Sequence, residues 1–365
     1  MHILYGVQGT GNGHISRCRT MALALARHGV QVDYLFSGRP AEEYFDMQPF
    51  GSYRTLPGLS FASRNGRLSP WLTLQQIQLR RFWQDTERLS LAGYDAIISD
   101  FEPVTAWAAW RQGLPVLGIS HQAAFSYPVP RTGDDWVSRL VMRRYAPVSS
   151  AVGLHWFHFG FPILPPIIDP LTPQADDGSI LVYLPFESLS AIQGLLARYA
   201  AVNFVCFHPA IRESQLCGNL LFHPPGREAF KQALARCNGV ISNGGFELAS
   251  EALILGKKLL LKPLVGQFEQ MSNAMTLELL GLAQVMQTLE PGAVRVWLDA
   301  STPGRVCYPD VADELARWLA AGRVETLPRL CARLWNRVRF PEPVYERIAE
   351  MGLADSIHCG QLLRI

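Results

Sequence analysis

The chain has 365 residues, 48% of them hydrophobic and 18% charged, with a formal net charge of +2. That length exceeds what one core ordinarily organises, so two domains are expected, and the near-neutral balance gives no general case for nucleic acid. Seven cysteines, at positions 18, 206, 217, 237, 307, 331 and 359, show no C-x-x-C pair and no zinc-finger spacing, which argues against a disulfide framework and fits a reducing compartment.

In chain order, His2 to Val7 reads as a short apolar strand, followed by the glycine loop Gln8-Gly9-Thr10-Gly11-Asn12-Gly13-His14. A helix is expected from about residue 15 to 28, with Met21, Leu23, Leu25 and Ala26 as its buried stripe and Gly29 as its end. Val30 to Phe36 reads as a second strand, 51–70 as a long polar loop and 71–91 as helical. A strand at 94–99, a helix at 103–112 and a strand at 115–119 continue the alternation, which indicates a parallel, doubly wound sheet. The proline-rich piece 162–173 reads as a stiff linker. Beyond it the alternation restarts: strand 179–184, helix 188–199, strand 202–207, a helix near 226–236, and Val240-Ile241 running into Gly244-Gly245. A helix then closes at Gly256, a strand covers 259–261, and Pro263 opens a loop leading to Glu269 and Gln270. The tail from about Pro309 is expected to be helical, with an arginine-rich helix at 328–338 and a short one after Pro343.

Two glycine turns carry the chemistry. Gly244 and Gly245 stand between a strand and a helix, where unpaired backbone N–H groups converge in a way that suits a phosphate. The loop at 6–14 has no Lys-Ser/Thr pair, so it is not a P-loop, and His14 breaks the G-x-G-x-x-G pattern that a nicotinamide enzyme would show. At the loop-to-helix junction the His14 imidazole is placed to remove a proton from an acceptor hydroxyl near neutral pH. Asp100 ends the strand before Pro103; it reads equally as a helix cap, as a carboxylate orienting that imidazole, or as the base itself. His121, at the end of the next strand, is expected to line the acceptor site. His155 and His158 lie three apart, on opposite faces of a strand, and no carboxylate is near them in sequence, so no metal site is expected.

The loop Gly9-Thr-Gly-Asn-Gly-His-Ile-Ser-Arg17, the run Asn243-Gly-Gly-Phe-Glu-Leu-Ala-Ser-Glu251, and Gly266-Gln-Phe-Glu-Gln270 with Asn273-Ala274 together resemble a known family. The chain is similar to the GT-B glycosyltransferases, in particular the glycosyltransferase 28-like group that includes the peptidoglycan lipid II N-acetylglucosaminyltransferase. It is also similar to a bacterial and archaeal branch carrying the same strings. The resemblance implies an α/β fold of two Rossmann-like, doubly wound parallel-sheet domains facing across a cleft. The domains implied are an acceptor-side domain at 1–165, a linker at 166–178, a nucleotide-sugar-binding domain at 179–338, and a helical tail at 339–365 packing back on the N-terminal domain.

Carried over by position, Gly244 and Gly245 make the diphosphate turn and Glu251 takes the ribose hydroxyls. Glu269 and Gln270 hold the donor sugar, and Phe246, Glu247, Ser250 and Gln267 complete the donor segment. His14 acts at the acceptor or the phosphate, with Gly11, Asn12 and Gly13 as its loop. The group's chemistry implies inversion without a metal or any other cofactor, from a donor that is most simply UDP-linked. A 2-epimerase on the same fold, acting on a UDP-sugar, and a non-catalytic nucleotide-sugar-binding protein remain the alternatives. One departure stands out: Leu184-Pro-Phe-Glu-Ser188 replaces the glycine-serine loop of many relatives, which weakens the diphosphate contact expected there. The acceptor stays open among lipid-linked, polysaccharide and small-metabolite hydroxyls. No signal peptide or run of about 18 apolar residues is apparent, so a cytoplasmic protein is expected. Its local arginines (Arg80, Arg81, Arg139, Arg143, Arg144) are expected, at most, to touch an anionic membrane surface.

Overall fold

Two seven-stranded sheets organise the molecule. The computed structural model describes residues 1–59, 63–64, 67–68, 78–132 and 144–354. The start of the expected 71–91 helix, Arg139, Arg143 and the tail beyond 354 lie outside the described residues. In the first sheet β1 (His2–Gln8) is flanked by β2 (Gln31–Ser37) and then β3 (Tyr53–Leu56) on one side. A two-residue hairpin, β4 (Ser63–Arg64) with β5 (Arg67–Leu68), stands apart from it. On the other side of β1 come β6 (Ala96–Asp100), β7 (Leu117–Ser120), β8 (Ser150–Leu154) and β9 (Ile163–Leu164), all parallel.

The second sheet repeats this order. β10 (Ile180–Tyr183) has β11 (Phe204–Phe207) and β13 (Leu220–His223) on one side. On the other side lie β14 (Gly239–Ser242), β15 (Lys258–Leu261) and β16 (Gln284–Val285). Only the edge strand β12 (Gln215–Cys217) runs antiparallel. In each sheet the strand order reverses beside the first strand, β1 against β6 and β10 against β14. A crevice opens at such a point beyond the strands' carboxyl ends, which is where open α/β sheets bind ligands. The loops at 9–13 and 101–102 border one crevice, and those at 184–188 and 243–245 border the other.

The helices that matter here are α1 (Asn12–Arg27), α2 (Leu79–Arg88), α3 (Pro103–Arg111), α4 (Leu189–Leu196), α5 (Arg227–Arg236), α6 (Phe246–Ile254) and α7 (Phe268–Leu279). Four more follow: α8 (Pro291–Asp299), α9 (Val311–Ala320), α10 (Leu327–Trp335) and α11 (Glu342–Glu350). One apolar cluster runs from the first sheet through Trp156, Phe157 and Phe246 into the second and on to Trp335. The C-terminal helices bind the first domain as well: the Trp335 indole donates to the Ile163 carbonyl at 2.6 Å, and His28 meets Asp313 at 3.0 Å.

Several expectations need correcting. Within the supposed loop 51–70, Tyr53–Leu56 pairs with β2, because a short polar edge strand gives too little alternation to read. Ile163–Leu164, at the start of the proline-rich piece 162–173 read as a stiff linker, forms the far edge of the first sheet. Glu269 and Gln270 lie in the first turn of α7 and not in a loop. In α1 the buried face is Cys18, Met21, Ala22 and Leu25, whereas Leu23 is 54% exposed. Among the described residues no helix is long and apolar enough to cross a membrane.

Candidate active site

The two crevices face each other, and the side chains between them form one polar chain. His14 sits in the first turn of α1, whose N-cap, Gly11, offers no side-chain cap. Its Nδ1 lies 2.8 Å from Oδ1 of Asp100, the last residue of β6. The capping role left open for Asp100 belongs instead to Glu102, whose carboxylate accepts the N–H groups of Val104 and Thr105, each at 2.7 Å. Between them Phe101 takes a left-handed φ of 53°, which turns Asp100 toward His14 and Glu102 toward the helix. A bulky residue in that region is strained, and such strain gathers at functional sites.

Asp100 is fully buried. Burial alone would push its carboxyl up, but Arg17 and His14 outweigh that and hold it below the usual carboxylate range. Nδ1 also lies 3.0 Å from Arg17 Nη2, which can only donate, but its shorter contact is to the carboxylate, which can only accept. The tautomer that satisfies the carboxylate carries the proton on Nδ1 and turns the Nε2 lone pair outward. The Gln122 amide nitrogen faces that lone pair at 3.4 Å and donates to Glu269 at 2.9 Å. Asp100, His14, Gln122 and Glu269 thus run in sequence from the first domain to the second.

On the second domain, Gly245 is the N-cap of α6 and has no side chain to satisfy the first-turn N–H groups. The N–H groups and the helix dipole together make this end attractive to an anion. Gly244 is fixed by sterics: a Cβ there would lie 2.5 Å from the Gln270 carbonyl oxygen. Beside the turn Lys262 pairs with Glu187, the acidic residue of the departed loop, and Asn243 donates to the Lys262 carbonyl at 2.7 Å. One turn along α6 from Glu247, Glu251 is 7% exposed and makes no side-chain hydrogen bond or ion pair among the described residues. Burial pushes its carboxyl up to about 7; Lys231 and Arg227 pull it down and Asp169 pushes it up.

Other sequence-chosen residues have different partners from those expected. His121 does not face an open acceptor space: it is 1% exposed, with one ring nitrogen 2.8 Å from the Leu154 carbonyl and the other 2.6 Å from Asn273 Oδ1. It stacks on Phe246 at 3.8 Å, so that both rings, expected at substrates, serve the domain contact. The Ser250 hydroxyl is buried too, accepting from the Trp156 indole and donating to the Phe246 carbonyl. Glu247 reaches Arg17 across the interface, and a Cβ on Gly13 would come within 3.0 Å of its Cγ. Burial raises Glu247 to about 8; Arg17, already engaged by Asp100, offsets this only in part. Gln267 caps α7 by accepting the Gln270 N–H at 2.5 Å, and the Gln270 side-chain oxygen accepts the Leu264 N–H at 2.9 Å. Asn12 accepts from Arg39 at 3.1 Å.

Sequence reasoning passed over Arg17, Gln122, Lys262 and Asn273. Arg17 and Asn273 fell inside the quoted strings, but only the fold brings their partners to them. Among the described residues no group of three or more His, Cys, Asp or Glu side chains is arranged to hold a metal ion.

Two facing Rossmann-like sheets with this cleft define a GT-B glycosyltransferase, an enzyme that moves a sugar. The family model described as glycosyl transferase family 1 matches residues 1–301, and the chain belongs to that family. No curated protein is a detectable sequence relative. Among solved structures, the glycotransferase of kitacinnamycin aligns with a TM-score of 0.56 and 14% identity, over 96% of this chain and 98% of that one. Arabidopsis thaliana UGT89C1 complexed with quercetin aligns with a TM-score of 0.55 and 16% identity, over 98% and 99%. LpCGTa in complex with UDP aligns with a TM-score of 0.55 and 17% identity, over 91% and 99%. At such identities the likeness speaks to the fold.

Proposed function

We propose that the enzyme transfers a sugar from a nucleoside diphosphate donor, most simply UDP-linked, to an acceptor hydroxyl with inversion and without a metal ion. The observation carrying this reading is the His14–Asp100 pair, whose outward Nε2 faces Gln122, which in turn reaches Glu269 across the cleft. In the step proposed, Nε2 takes the acceptor hydroxyl proton and the acceptor oxygen bonds to the anomeric carbon. The bond from that carbon to the diphosphate breaks on the opposite face, and the nucleoside diphosphate leaves. Asp100 holds the imidazole in the required tautomer and stabilises the imidazolium that forms. The uncapped α6 N-terminus and the Lys262 ammonium would take up the leaving charge.

The Glu251 carboxyl, which has no hydrogen-bond partner among the described residues, supports a ribose subsite, since its oxygens are free to accept from ribose hydroxyls. UDP is bound in LpCGTa and in a second UGT89C1 structure, which favours uridine. The motif from Asn243 to Glu251 favours placement in the glycosyltransferase 28-like group. For the acceptor, one surface favours a lipid. On the first domain Trp83 (38% exposed), Trp107 and Trp110 (64% exposed) pack edge to face beside the exposed Arg80, Arg81, Arg111 and Arg144. Indoles among cationic side chains suit the anionic face of a bilayer.

A thermal-shift screen against UDP-, GDP- and dTDP-sugars tests the donor, followed by detection of released nucleotide. Stabilisation by one nucleotide class and acceptor-dependent release support the reading. Accumulation of an epimer from UDP-N-acetylglucosamine alone would replace transfer with isomerisation.

A further inference from the structure

We propose that Arg17 is a positioning residue that latches the two domains together and, through the same guanidinium, sets the His14–Asp100 pair, so that the pair is fully assembled only with the cleft closed. The inference rests on the catalytic reading of that pair. Arg17 is 2% exposed and lies one turn beyond His14 on α1. Its Nε donates to Asp100 Oδ2 at 2.9 Å and its Nη2 to Oδ1 at 2.6 Å, a two-pronged grip that fixes the carboxylate's rotation. Its Nη1 donates to Glu247, which belongs to the first turn of α6 in the other domain.

One planar group therefore reads both domains. With the second domain swung away, Arg17 would lose its Glu247 arm and Asp100 would lose its burial. Opening would exchange the Arg17–Glu247 hydrogen bond, the one ion pair of Glu247 among the described residues, for water on both groups, and that charge-assisted bond is what favours the closed arrangement. Gly13 fits the same device, because a side chain there would press on Glu247 Cγ at 3.0 Å. The two arms are separable by mutation: Glu247→Met, which has no acceptor for the Arg17 Nη1, cuts only the interdomain arm, whereas Arg17→Met cuts both.

The test uses the full chain. Small-angle scattering without nucleotide should show Glu247→Met and Arg17→Met more open than the unmodified enzyme. Nitrogen NMR of the His14 ring should show one dominant tautomer in the unmodified chain, a partly averaged ring in Glu247→Met, and a shifted Nδ1 signal in Arg17→Met, where Nη2 no longer faces it. With UDP-glucose as probe and UDP release as the rate, Glu247→Met should raise the donor KM on the order of tenfold, within the usual span of coupling between sites. Arg17→Met should also lower kcat, and adding Glu247→Met to it should cost nothing more. Arg17→Lys keeps the charge but lacks the fork; it should recover thermal stability without recovering kcat. Unchanged scattering and an unchanged His14 ring in both variants would overturn the latch, as would independent, multiplying effects in the double variant. If the unmodified enzyme releases no nucleotide from any donor, the proposed transfer fails, while scattering and NMR still decide the latch.

Discussion

Glu251→Gln separates function from stability in one substitution. The carboxyl is 7% exposed, and burial lifts it from an ordinary 4.5 to about 7. Between those values the unfolded chain has lost its proton while the folded chain keeps it, so stability falls as pH rises through the window. At ~1.4 kcal/mol per pH unit, the loss from about pH 4.5 to pH 7 comes to about 3 kcal/mol. Glutamine mimics the protonated acid and never ionises, so the variant should match the unmodified protein below about pH 4.5 and exceed it by up to about 3 kcal/mol at pH 8. The same change removes a charged acceptor from the proposed ribose subsite and should weaken nucleotide binding by about tenfold or more. Urea denaturation at pH 5 and pH 8, with calorimetric titration of UDP, reads both effects. A variant less stable at pH 8, or one that binds UDP as before, would refute the reasoning.

The remaining expectations concern the two walls of the cleft and the outer surface. His14→Ala should lower turnover by roughly 100-fold or more while nucleotide affinity stays within a few-fold, as stopped assays and calorimetry would show. Gly244→Ala places a Cβ 2.5 Å from the Gln270 carbonyl, where backbone must give way; a stability loss of about 1–3 kcal/mol and weaker nucleotide binding are expected from denaturation and titration. Replacing Trp83 and Trp110 with alanine should reduce sedimentation with anionic vesicles and leave UDP affinity unchanged; undiminished vesicle binding would remove the lipid-facing surface.

The architecture was legible in the sequence because strand runs and helical periods alternate at regular lengths on both sides of the proline-rich piece. Short edge elements were not, since Tyr53–Leu56 and Gln215–Cys217 offer no buried face long enough to make a pattern. In the site, glycines and acidic residues stood out by type and spacing, and the His14–Asp100 meeting followed from two strand ends sharing one crevice. What stayed hidden is pairing across the interface. Nothing in the one-dimensional pattern says that Glu247 turns to Arg17, that Phe246 covers His121, or that Ser250 is spent on Trp156. Phe246, Glu247 and Ser250 stand in the string expected to hold the donor, yet their side chains join the domains, because a helix opening at a cleft has one turn facing each wall.

A crystal structure with the nucleoside diphosphate that stabilises the protein best tests the central claim most directly. The account expects the diphosphate at the first-turn N–H groups of α6, from Phe246 to Leu248, the ribose hydroxyls on Glu251, and His14 Nε2 open toward the sugar's anomeric carbon. A nucleotide bound away from α6, or with its ribose turned from Glu251, would contradict it.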